Sequence, residues 1–483
     1  MTYRRALVLA LYVVNVLVTY LAAGRLTATE PVSWISSGGN PTRAEGQGAI
    51  DLASQGDLLS ELHLPLVAPL DHLPAPAASG PSLADLHQLA LEHNPTLVQA
   101  SVEVRAILGM AYQAGLSPNP VAGYVGDQIG VKGTAGEMQG GFISQEIVTG
   151  GKLRLSRAKY CERARMAETN VFVQQLRVVN DVEVLFYRVL ALQEVLAVRE
   201  QLLANTQDGL LTSKEMLNLG QANKADVLQA EVDVHRDLLL VETAQLEVEL
   251  AWRTLTSIVG LPNLTYLPLE GELFDQNAPL DWDEAVAQLL EGSPELVAAR
   301  QHVRHDQISV ARERVQPIPN ILLDARAGKN FESGNTVAGV QAGLVLPIFD
   351  RNRGTIRQAE ADLVRSRANV RRVELELRTR LAEYFGRYQV AWSYVQRYRD
   401  VMLPRARQAY ELLQQNYQAR RVAWPEVLAR QRAYLQLKVQ YLERVAEYHE
   451  ADVFVRGMLL TGGLVQPPST ISEGHIDSVP KPR

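Results

Sequence analysis

Apolar residues recur at steps of four and three positions over two long stretches of the chain. In the first stretch these residues are Val178, Val182, Leu185, Val189, Leu192 and Leu196. In the second stretch they are Leu377, Leu381, Tyr384, Tyr388, Ala391, Val395 and Tyr398. This spacing places apolar side chains along one seam of a helix, as coiled-coil packing requires. It therefore predicts two long helices that pack lengthwise against other helices.

The same pattern predicts the lengths of the helices. The first long helix is predicted over 151–218, which corresponds to about 100 Å. A returning helix over 223–259 would be about 55 Å long, and a helix over 96–116 about 30 Å, so that end to end they nearly match the long helix. Pro404 interrupts the second long helix. Because the apolar pattern continues beyond this proline, we predict a kink there.

Sharp turns are predicted where the long helices end. After the first long helix, Asn223 can accept the first helical N–H groups while Asp226 reaches back in a capping box. After the second, Pro425 suits the first helical position and Glu426 favours the positive end of the helix. Each long helix is therefore predicted to return on itself as a hairpin.

Alternation of apolar and polar residues predicts two pairs of strands, over 119–128, 138–148, 320–329 and 337–346. In the second pair Asp324, Arg326 and Gln341 fall on the polar face, opposite residues such as Leu323 and Val340. An apolar outer face, a polar inner face and a length of about ten residues are typical of transmembrane β-barrels. These three polar residues are therefore predicted to line a barrel lumen. A half-buried hairpin of a soluble protein has the same alternation, and the strands alone leave both interpretations open.

Each predicted strand pair leads into a long helix through a similar joint, "GGFISQEIVTGGK" (140–152) and "AGLVLPIFDRNRG" (342–354). Pro347 ends strand pairing because it has no N–H to donate. Polar residues such as Asn352 then turn the chain and cap the helix, and a glycine is predicted to release the chain into it. The predicted joint residues are Gly150, Gly151, Pro347, Asp350 and Gly354.

Several sequence features occur twice, and nearly the same number of residues separates the two copies each time. Pro95 and Pro294 are 199 residues apart, as are Pro118 and Pro317. The two joints and the two hairpin turns follow in the same order, which indicates an internal duplication. The predicted organisation is a signal peptide (1–24), a flexible Pro/Gly/Ala-rich leader (25–81), a first repeat (82–278), a second repeat (279–462) and a disordered tail (463–483).

The N-terminus carries two arginines followed by an apolar run from Ala6 to Gly24. Small residues at the end of this run suit signal peptidase, so export is predicted, with an uncleaved anchor helix as the alternative. No other stretch is apolar enough to span a bilayer as a helix, so a membrane-resident chain would have to cross as β-strands. Four strands are too few to close a membrane barrel, and the chain is therefore predicted to oligomerise.

Composition excludes several functional classes. A formal net charge of −6 offers no basic face for nucleic acid, and the single cysteine, Cys161, excludes a disulfide framework or a cysteine-rich zinc site. The stretch "HVRHD" (302–306) places two histidines beside a carboxylate, a set that can bind metal, but we interpret it as a solvated helix face and predict no metal site. No nucleophile–base pairing occurs, so neither an enzyme nor a cofactor is predicted.

Together, the duplication and both joints resemble the outer membrane efflux protein family, the TolC-like channels. The resemblance covers about 81–463, and "ISQEIVTGGKLRLSRA" and "LVLPIFDRNRGTIRQAEADL" are most similar to the branch that serves heavy-metal cation pumps. It implies a mainly α fold with a small β part. In such a fold, a homotrimer forms a long coiled-coil helical barrel in the periplasm and a transmembrane β-barrel in the outer membrane, with four strands from each protomer.

The resemblance also implies a function and partners. The channel would be the exit duct of a tripartite efflux or type I export system, conducting substrate from a periplasmic adaptor and an inner-membrane pump through the outer membrane lipid to the outside. The residues at or beside the family's gating positions, which form the predicted gate and adaptor-docking tip, are Asp226, Tyr417, Arg421 and Glu426. Val422 occupies the family's arginine position and Ala429 a common aspartate position, so the family's gating links are incomplete here. A periplasmic coiled-coil adaptor or scaffold is the alternative, but it would contain one helical hairpin rather than two.

Overall fold

The computed structural model describes residues 80–130, 136–273, 279–468, 470 and 475–477; the predicted signal peptide and nearly all of the predicted leader lie outside them. The first half contains α1 (Leu83–His93), α2 (Pro95–Gly115), β1 (Val121–Asp127), β2 (Met138–Ile147), α3 (Lys152–Asn218) and α4 (Lys224–Val259). The second half contains α5 (Trp282–Gly292), α6 (Pro294–Val315), β3 (Ile321–Asn330), β4 (Thr336–Leu344), α7 (Arg353–Arg397), α8 (Leu403–Gln418) and α9 (Trp424–Arg456). The same kinds of element therefore follow one another in the same order in both halves.

Local sequence explains how the first helices begin. Ser82 and Asp85 form a capping box at the start of α1, which satisfies N–H groups that have no partner within the helix. Asn94 accepts a hydrogen bond from the N–H of Thr96 at the start of α2, and Pro95 occupies the first turn of that helix. Because Asn94 is both the C-cap of α1 and the N-cap of α2, the two helices follow one another without a loop.

The long helices predicted from the apolar spacing are confirmed. α3 and α4 begin and end within two residues of the predicted bounds. In the second half, α7 continues into α8 through a π-helical segment, Tyr398–Met402. Pro404 stands in the first turn of α8, and because it lacks the N–H that a helix needs, the wider π turn accommodates the predicted interruption. Among the residues described, no helix is long and apolar enough to cross a membrane.

The predicted seams form the core. Val178, Val182 and Val189 of α3 are fully buried against α1 and α4, and Leu377 and Val395 of α7 are buried in the clusters formed with α5 and α9. A further cluster joins α3 to α9. The residues in its centre are Val195, Val198, Leu202, Leu435, Val439 and Leu442. The two halves are thus held together by the same kind of apolar seam that holds each of them.

The four strands form one antiparallel sheet in the order β1-β2-β3-β4. The halves meet within this sheet, because β2 of the first half pairs with β3 of the second, from Met138↔Asn330 to Ile147↔Ile321. At Gly140↔Gly328 the two backbones approach so closely that a Cβ on Gly140 would lie 2.0 Å from the carbonyl oxygen of Ala327. Only glycine fits such a contact.

The chain after α9 differs from the predicted disordered tail wherever the structure describes it. The carbonyl oxygen of Gly463 accepts hydrogen bonds from Thr96 and Gln174, and those of Gly457 and Leu460 accept hydrogen bonds from Asn180. Further along, His475, Ile476 and Asp477 pack against α3, α6 and α7. These contacts join residues far apart in the chain, and a composition rich in proline, glycine and serine gives no local sign of them.

Candidate functional site: the sheet, the strand-to-helix joints and the hairpin tips

In β3 and β4 the three residues predicted to line a lumen share one face of the sheet. Asp324 lies directly opposite Gln341, and Arg326 follows two residues later, so that these three side chains share one face. The other face carries apolar side chains that are exposed in the single chain, including Val340 (69% exposed) and Tyr124 (64% exposed). A large exposed apolar surface on one side of a sheet is expected where the sheet borders lipid or another chain.

The polar face has one further charged member that was not predicted from the sequence. Asp127, the last residue of β1, lies 3.7 Å from Arg326 across the sheet, on the same face. Asp127 could have been predicted, because it stands at the end of β1 at a position that shares the polar face of β3. Both side chains are about half exposed, so the pair contributes little to stability but does place opposite charges side by side.

Cysteine labelling tests the assignment of the two faces. Single cysteines at Asp324 and Arg326 should react with water-soluble reagents, and cysteines at Leu323 and Ala325 should react with lipid-phase probes, because successive side chains of a strand point to opposite faces. The measurement is the labelling yield of each variant in outer membranes. The reverse yields would mean a register shifted by one residue.

The joints are built from residues in the left-handed backbone region. Gly150 and Gly151 have φ angles of 68° and 69°, and α3 begins after them. In the second joint the residue with this backbone is Asn352 (φ 57°), where the amide N–H donates to Asp350 Oδ1 at 2.9 Å. Glycine and asparagine are the residues that adopt this region most readily.

The role predicted for Gly354 is therefore wrong. Gly354 lies inside the first turn of α7, and a Cβ placed on it would meet no atom within 4 Å in this chain. Asn352 performs the turn that Gly151 performs in the first joint, and its side-chain amide also donates to the carbonyl oxygen and the carboxylate of Glu313 in α6. Pro347 and Asp350 remain where they were predicted, between β4 and α7.

Substitution of Asn352 should separate its two roles. Asn352→Val places a β-branched residue in the left-handed region and removes both hydrogen bonds to Glu313, so we expect it to destabilise the joint by about 2 kcal/mol. Asn352→Gly keeps the backbone and should lose less. Gly354→Val is the matched control and should change little. The measurement is the urea midpoint of the purified protein, and equal midpoints for Asn352→Val and Gly354→Val would contradict this account.

The hairpin tips are capped as predicted. Asn223 Oδ1 accepts the N–H of Asp226 at 2.9 Å, and an Asp226 carboxylate oxygen accepts the N–H of Asn223 at 3.0 Å. In the second tip Pro425 stands in the first turn of α9, with Glu426 beside it. The turns themselves use left-handed residues at matching places, Gly220 and Arg420.

The predicted tip residues are not joined to one another within the chain. In the part of the chain that the structure describes, no hydrogen bond or ion pair links Asp226, Arg421 and Glu426. Tyr417 instead contacts Trp424, with ring centroids 4.9 Å apart, which closes the second tip with an aromatic pair that the sequence analysis did not anticipate. Asp226 is engaged in its own capping box, and the side chains of Arg421 and Glu426 are exposed at the surface of the second tip.

A third feature that was not predicted is an ion pair that joins the two hairpins away from their tips. Asp237 of α4 is 3% exposed, and its carboxylate accepts hydrogen bonds from Arg432 of α9 and Thr206 of α3, both at 2.6 Å. Asp237 occupies the apolar seam of α4, between Val227 and Val241. A charged residue at a seam position was the signal, because a buried carboxylate needs a partner.

The interpretation of "HVRHD" as a solvated helix face is wrong for two of its residues. His305 and Asp306 are each 1% exposed and lie under residues 475–477. The first three residues of this stretch remain at least partly accessible. These buried groups belong to neither the sheet nor the tips.

The sequence profile of the outer membrane efflux proteins matches two segments of this chain, residues 86–261 and 285–459. The chain belongs to the outer membrane efflux protein family. The two matched segments correspond to the two halves of the structure, from α1 to the end of α4 and from α5 to the end of α9. The resemblance noted in the sequence is thereby confirmed, and the family is one of outer membrane channel proteins.

Individual relatives agree with this assignment. The cobalt-zinc-cadmium resistance protein CzcC of Cupriavidus metallidurans is 25% identical over 390 residues, which cover 79% of this chain and 91% of CzcC. Among solved structures, CusC has a TM-score of 0.63 at 16% identity, with 81% of this chain and 96% of CusC covered. The open state of the Neisseria gonorrhoeae outer membrane channel MtrE also has a TM-score of 0.63 at 16% identity, with 80% and 90% covered. These likenesses show the fold.

Proposed function

We propose that this protein is the outer membrane exit duct of a tripartite efflux system, and that it receives substrate from a periplasmic adaptor and an inner-membrane pump. The observation that carries the proposal is the twofold occurrence of a strand pair joined to a long helical hairpin, matched in both halves by the family profile. An adaptor would need only one hairpin. The wall of a duct must enclose the lumen completely, and a chain with two helical hairpins contributes more helices to such a wall than a chain with one.

The sheet supports assembly of several copies. Its order leaves one edge of β1 and one edge of β4 without a partner strand in the described chain. An unpaired edge is a ready template for pairing with another chain, and closing the sheet into a barrel removes all edges. Three copies would supply twelve strands, above the minimum of about eight for a membrane barrel. We propose a homotrimer whose lumen is lined by Asp127, Asp324, Arg326 and Gln341.

The tips are the proposed gate and adaptor-docking surface. They lie at the end of α3, which is about 100 Å from the strands at 1.5 Å per residue. Asp226, Tyr417, Arg421 and Glu426 are exposed or half-exposed there. Contacts between such side chains of neighbouring copies would be weak in water, which suits a gate that opens without unfolding a core.

The relative CzcC is named for resistance to cobalt, zinc and cadmium. We propose that the substrates of this duct include heavy-metal cations, and that the chain itself has no catalytic role. We further propose that residues 1–24 are a signal peptide, that 25–81 are a leader, and that the functional repeats are 82–278 and 279–462.

Fractionation and conductance test the proposed function. The full chain should be found in the outer membrane as a trimer that dissociates only on heating, and the purified trimer should form discrete conductance steps in a planar bilayer. A deletion strain should lose growth on cobalt, zinc or cadmium salts, and expression of the full chain should restore it. Recovery of the protein as a soluble periplasmic species without conductance would favour an adaptor or scaffold instead.

A further inference from the structure

A cluster of histidines and aspartates lies between α6, the first turns of α3 and α7, and residues 475–477. Its members, called here the His/Asp cluster, are His302, His305, Asp306, Asp362, His475 and Asp477. Asp362 lies nine residues after the first residue of α7, which places the cluster about 14 Å along this helix from the second strand-to-helix joint. It is therefore remote from the hairpin tips and plays no part in the proposed gate.

The centre of the cluster is Asp306, which is 1% exposed. Its Oδ1 lies 2.9 Å from Nε2 of His475 and 3.1 Å from Nδ1 of His305, and its Oδ2 lies 3.4 Å from Nδ1 of His302. Three imidazoles thus surround one buried carboxylate. Two of them come from one turn of α6, and the third comes from the far end of the chain.

Asp306 differs from the other two carboxylates of the cluster, because no lysine or arginine is paired with it among the described residues. Asp477 is paired with Lys159 at 2.6 Å, and Asp362 with Arg365 at 2.9 Å. Among the ion pairs of the described residues, Asp306 is paired with histidines only. A carboxylate that is removed from water needs positive charge close by. For Asp306 that charge must come from a protonated imidazole or from a bound cation.

Two facing atoms in the cluster have no hydrogen-bond partner. Nδ1 of His302 and Oδ2 of Asp306 are both buried and both unsatisfied, although they face one another at 3.4 Å. Two ligand atoms of a tetrahedral zinc ion, with bonds of about 2.0–2.1 Å, lie about 3.3 Å apart. The separation therefore fits an edge of a metal coordination tetrahedron better than it fits a hydrogen bond.

The corresponding position in the first half of the chain is apolar, so the fold does not require histidines and aspartates here. The prolines that begin α2 and α6 are 199 residues apart, and the prolines that follow these helices have the same separation. At this offset Asp306 corresponds to Ile107, which is 2% exposed and packs in an ordinary apolar core. His302 and His305 correspond to Glu103 and Ala106. The second half therefore carries metal-binding side chains at a place where an apolar residue suffices.

We propose that His302 Nδ1, Asp306 Oδ2 and His475 bind a divalent transition-metal ion such as Zn²⁺, which fastens residues 475–477 to α6. One donor atom from each of these three residues lies within 4.8 Å of the others. Two imidazoles and one carboxylate suit Zn²⁺, Cu²⁺ and Ni²⁺, whereas Mg²⁺ prefers a site made of oxygen atoms alone. Three protein ligands leave one position of the tetrahedron for water.

Binding requires one proton to move. The N–H of Asp477 donates to Nδ1 of His475, so in the neutral ring the proton is on Nε2 and faces Asp306. When Nε2 binds the ion, this proton moves to Nδ1, which gives up the hydrogen bond from the N–H of Asp477 and turns toward Oδ2 of Asp477, 4.0 Å away. A small rotation of the ring lets that carboxylate accept it, and such a carboxylate–histidine–metal arrangement is common around zinc. His305 contacts Asp306 and Asp477 without binding the ion and is a positioning residue.

Metal titration of the purified full chain tests this proposal independently of the channel function. The chain is prepared without a polyhistidine tag, treated with chelator and titrated with ZnCl₂ in a calorimeter, and bound zinc is counted after desalting. We expect one ion per chain that excess MgCl₂ does not displace. With CoCl₂ the protein should acquire the intense visible absorption of tetrahedral Co²⁺, which ions loosely held at the surface do not give.

Variants separate the site from adventitious binding. Asp306→Asn and His302→Gln should abolish the stoichiometric binding and the cobalt spectrum, and His305→Ala should weaken binding by about 10- to 100-fold, as for an outer-shell partner. His235→Ala, which removes an exposed histidine of α4, is the matched control and should bind as the parent does. Asp306→Ile restores the residue of the first half and should assemble normally without binding zinc. Absence of stoichiometric zinc from the parent chain, or unchanged binding by Asp306→Asn, would overturn the proposal.

Discussion

Replacing Arg432 by alanine should loosen the lower parts of both hairpins. The substitution leaves the carboxylate of Asp237, which is 3% exposed, with Thr206 as its remaining side-chain partner. Removing one partner of a buried ion pair costs about 3 kcal/mol. A decrease of this size in the free energy of local opening corresponds to amide hydrogen exchange that is about 100-fold faster. The measurement is exchange read by mass spectrometry over 200–240 and 424–440.

Two further variants show whether the lost ion pair is the cause. Arg407 pairs with Glu411 on α8, but both side chains are largely exposed, so Arg407→Ala should leave exchange nearly unchanged. Replacing Asp237 and Arg432 together by leucine removes both charges and should recover most of the protection, because no buried charge is left unpaired. If the tips form the gate, Arg432→Ala should also raise the conductance of the trimer. Normal exchange in Arg432→Ala would mean that the pair does not hold the hairpins together.

Adding one methyl group at Gly140 should have a larger effect on assembly than most core substitutions. In Gly140→Ala the new Cβ would lie 2.0 Å from the carbonyl oxygen of Ala327 and 2.4 Å from Cα of Gly328. Backbone atoms cannot move aside as a flexible side chain can, so β2 and β3 must separate, and overpacking of this kind costs about 3 kcal/mol. This strand pair joins the two halves of the sheet. We expect the yield of assembled protein in the outer membrane to fall severalfold.

The neighbouring glycine supplies the control. A Cβ on Gly141 would meet only the carbonyl oxygen of Gly123, at an ordinary 3.7 Å. Gly141→Ala therefore changes the same strand by the same group and should assemble like the parent. The measurement is the fraction of protein in outer membranes that migrates as a trimer before heating and as a monomer after heating. Equal fractions for the two variants would show that the strands can separate without loss.

Much of the fold follows from local patterns. Seams such as Val178 to Val189 recur within one or two helical turns, and caps such as Asn223 with Asp226 span three residues, so the sequence alone contains all of the information they need. The strand pairs are found because alternation is also local. Duplication then doubles the number of landmarks, which makes the order of elements much easier to recognise.

The errors arise where a contact joins distant parts of the chain. His475 meets Asp306 across 169 residues, and Arg432 meets Asp237 across 195. Neither partner can be identified from its own neighbours, although a carboxylate at an apolar seam position does indicate that some partner exists. The role of Gly354 was wrongly predicted for a different reason. Both Asn352 and Gly354 suit a turn, and only the backbone shows which of them has the positive φ angle.

The residues that follow α9 supply hydrogen-bond acceptors to buried side chains of the first half. Asn94, Thr96, Gln174 and Asn180 are buried polar residues of the first half, and each donates to a carbonyl oxygen within Gly457–Gly463. Because the N-terminal half is synthesised first, these donors acquire their acceptors only after the segment Gly457–Gly463 has been made. A chain cut before residue 457 lacks these acceptors and loses the hydrogen bonds that tie the first half to the end of the chain, so we expect it to be less stable than the full chain.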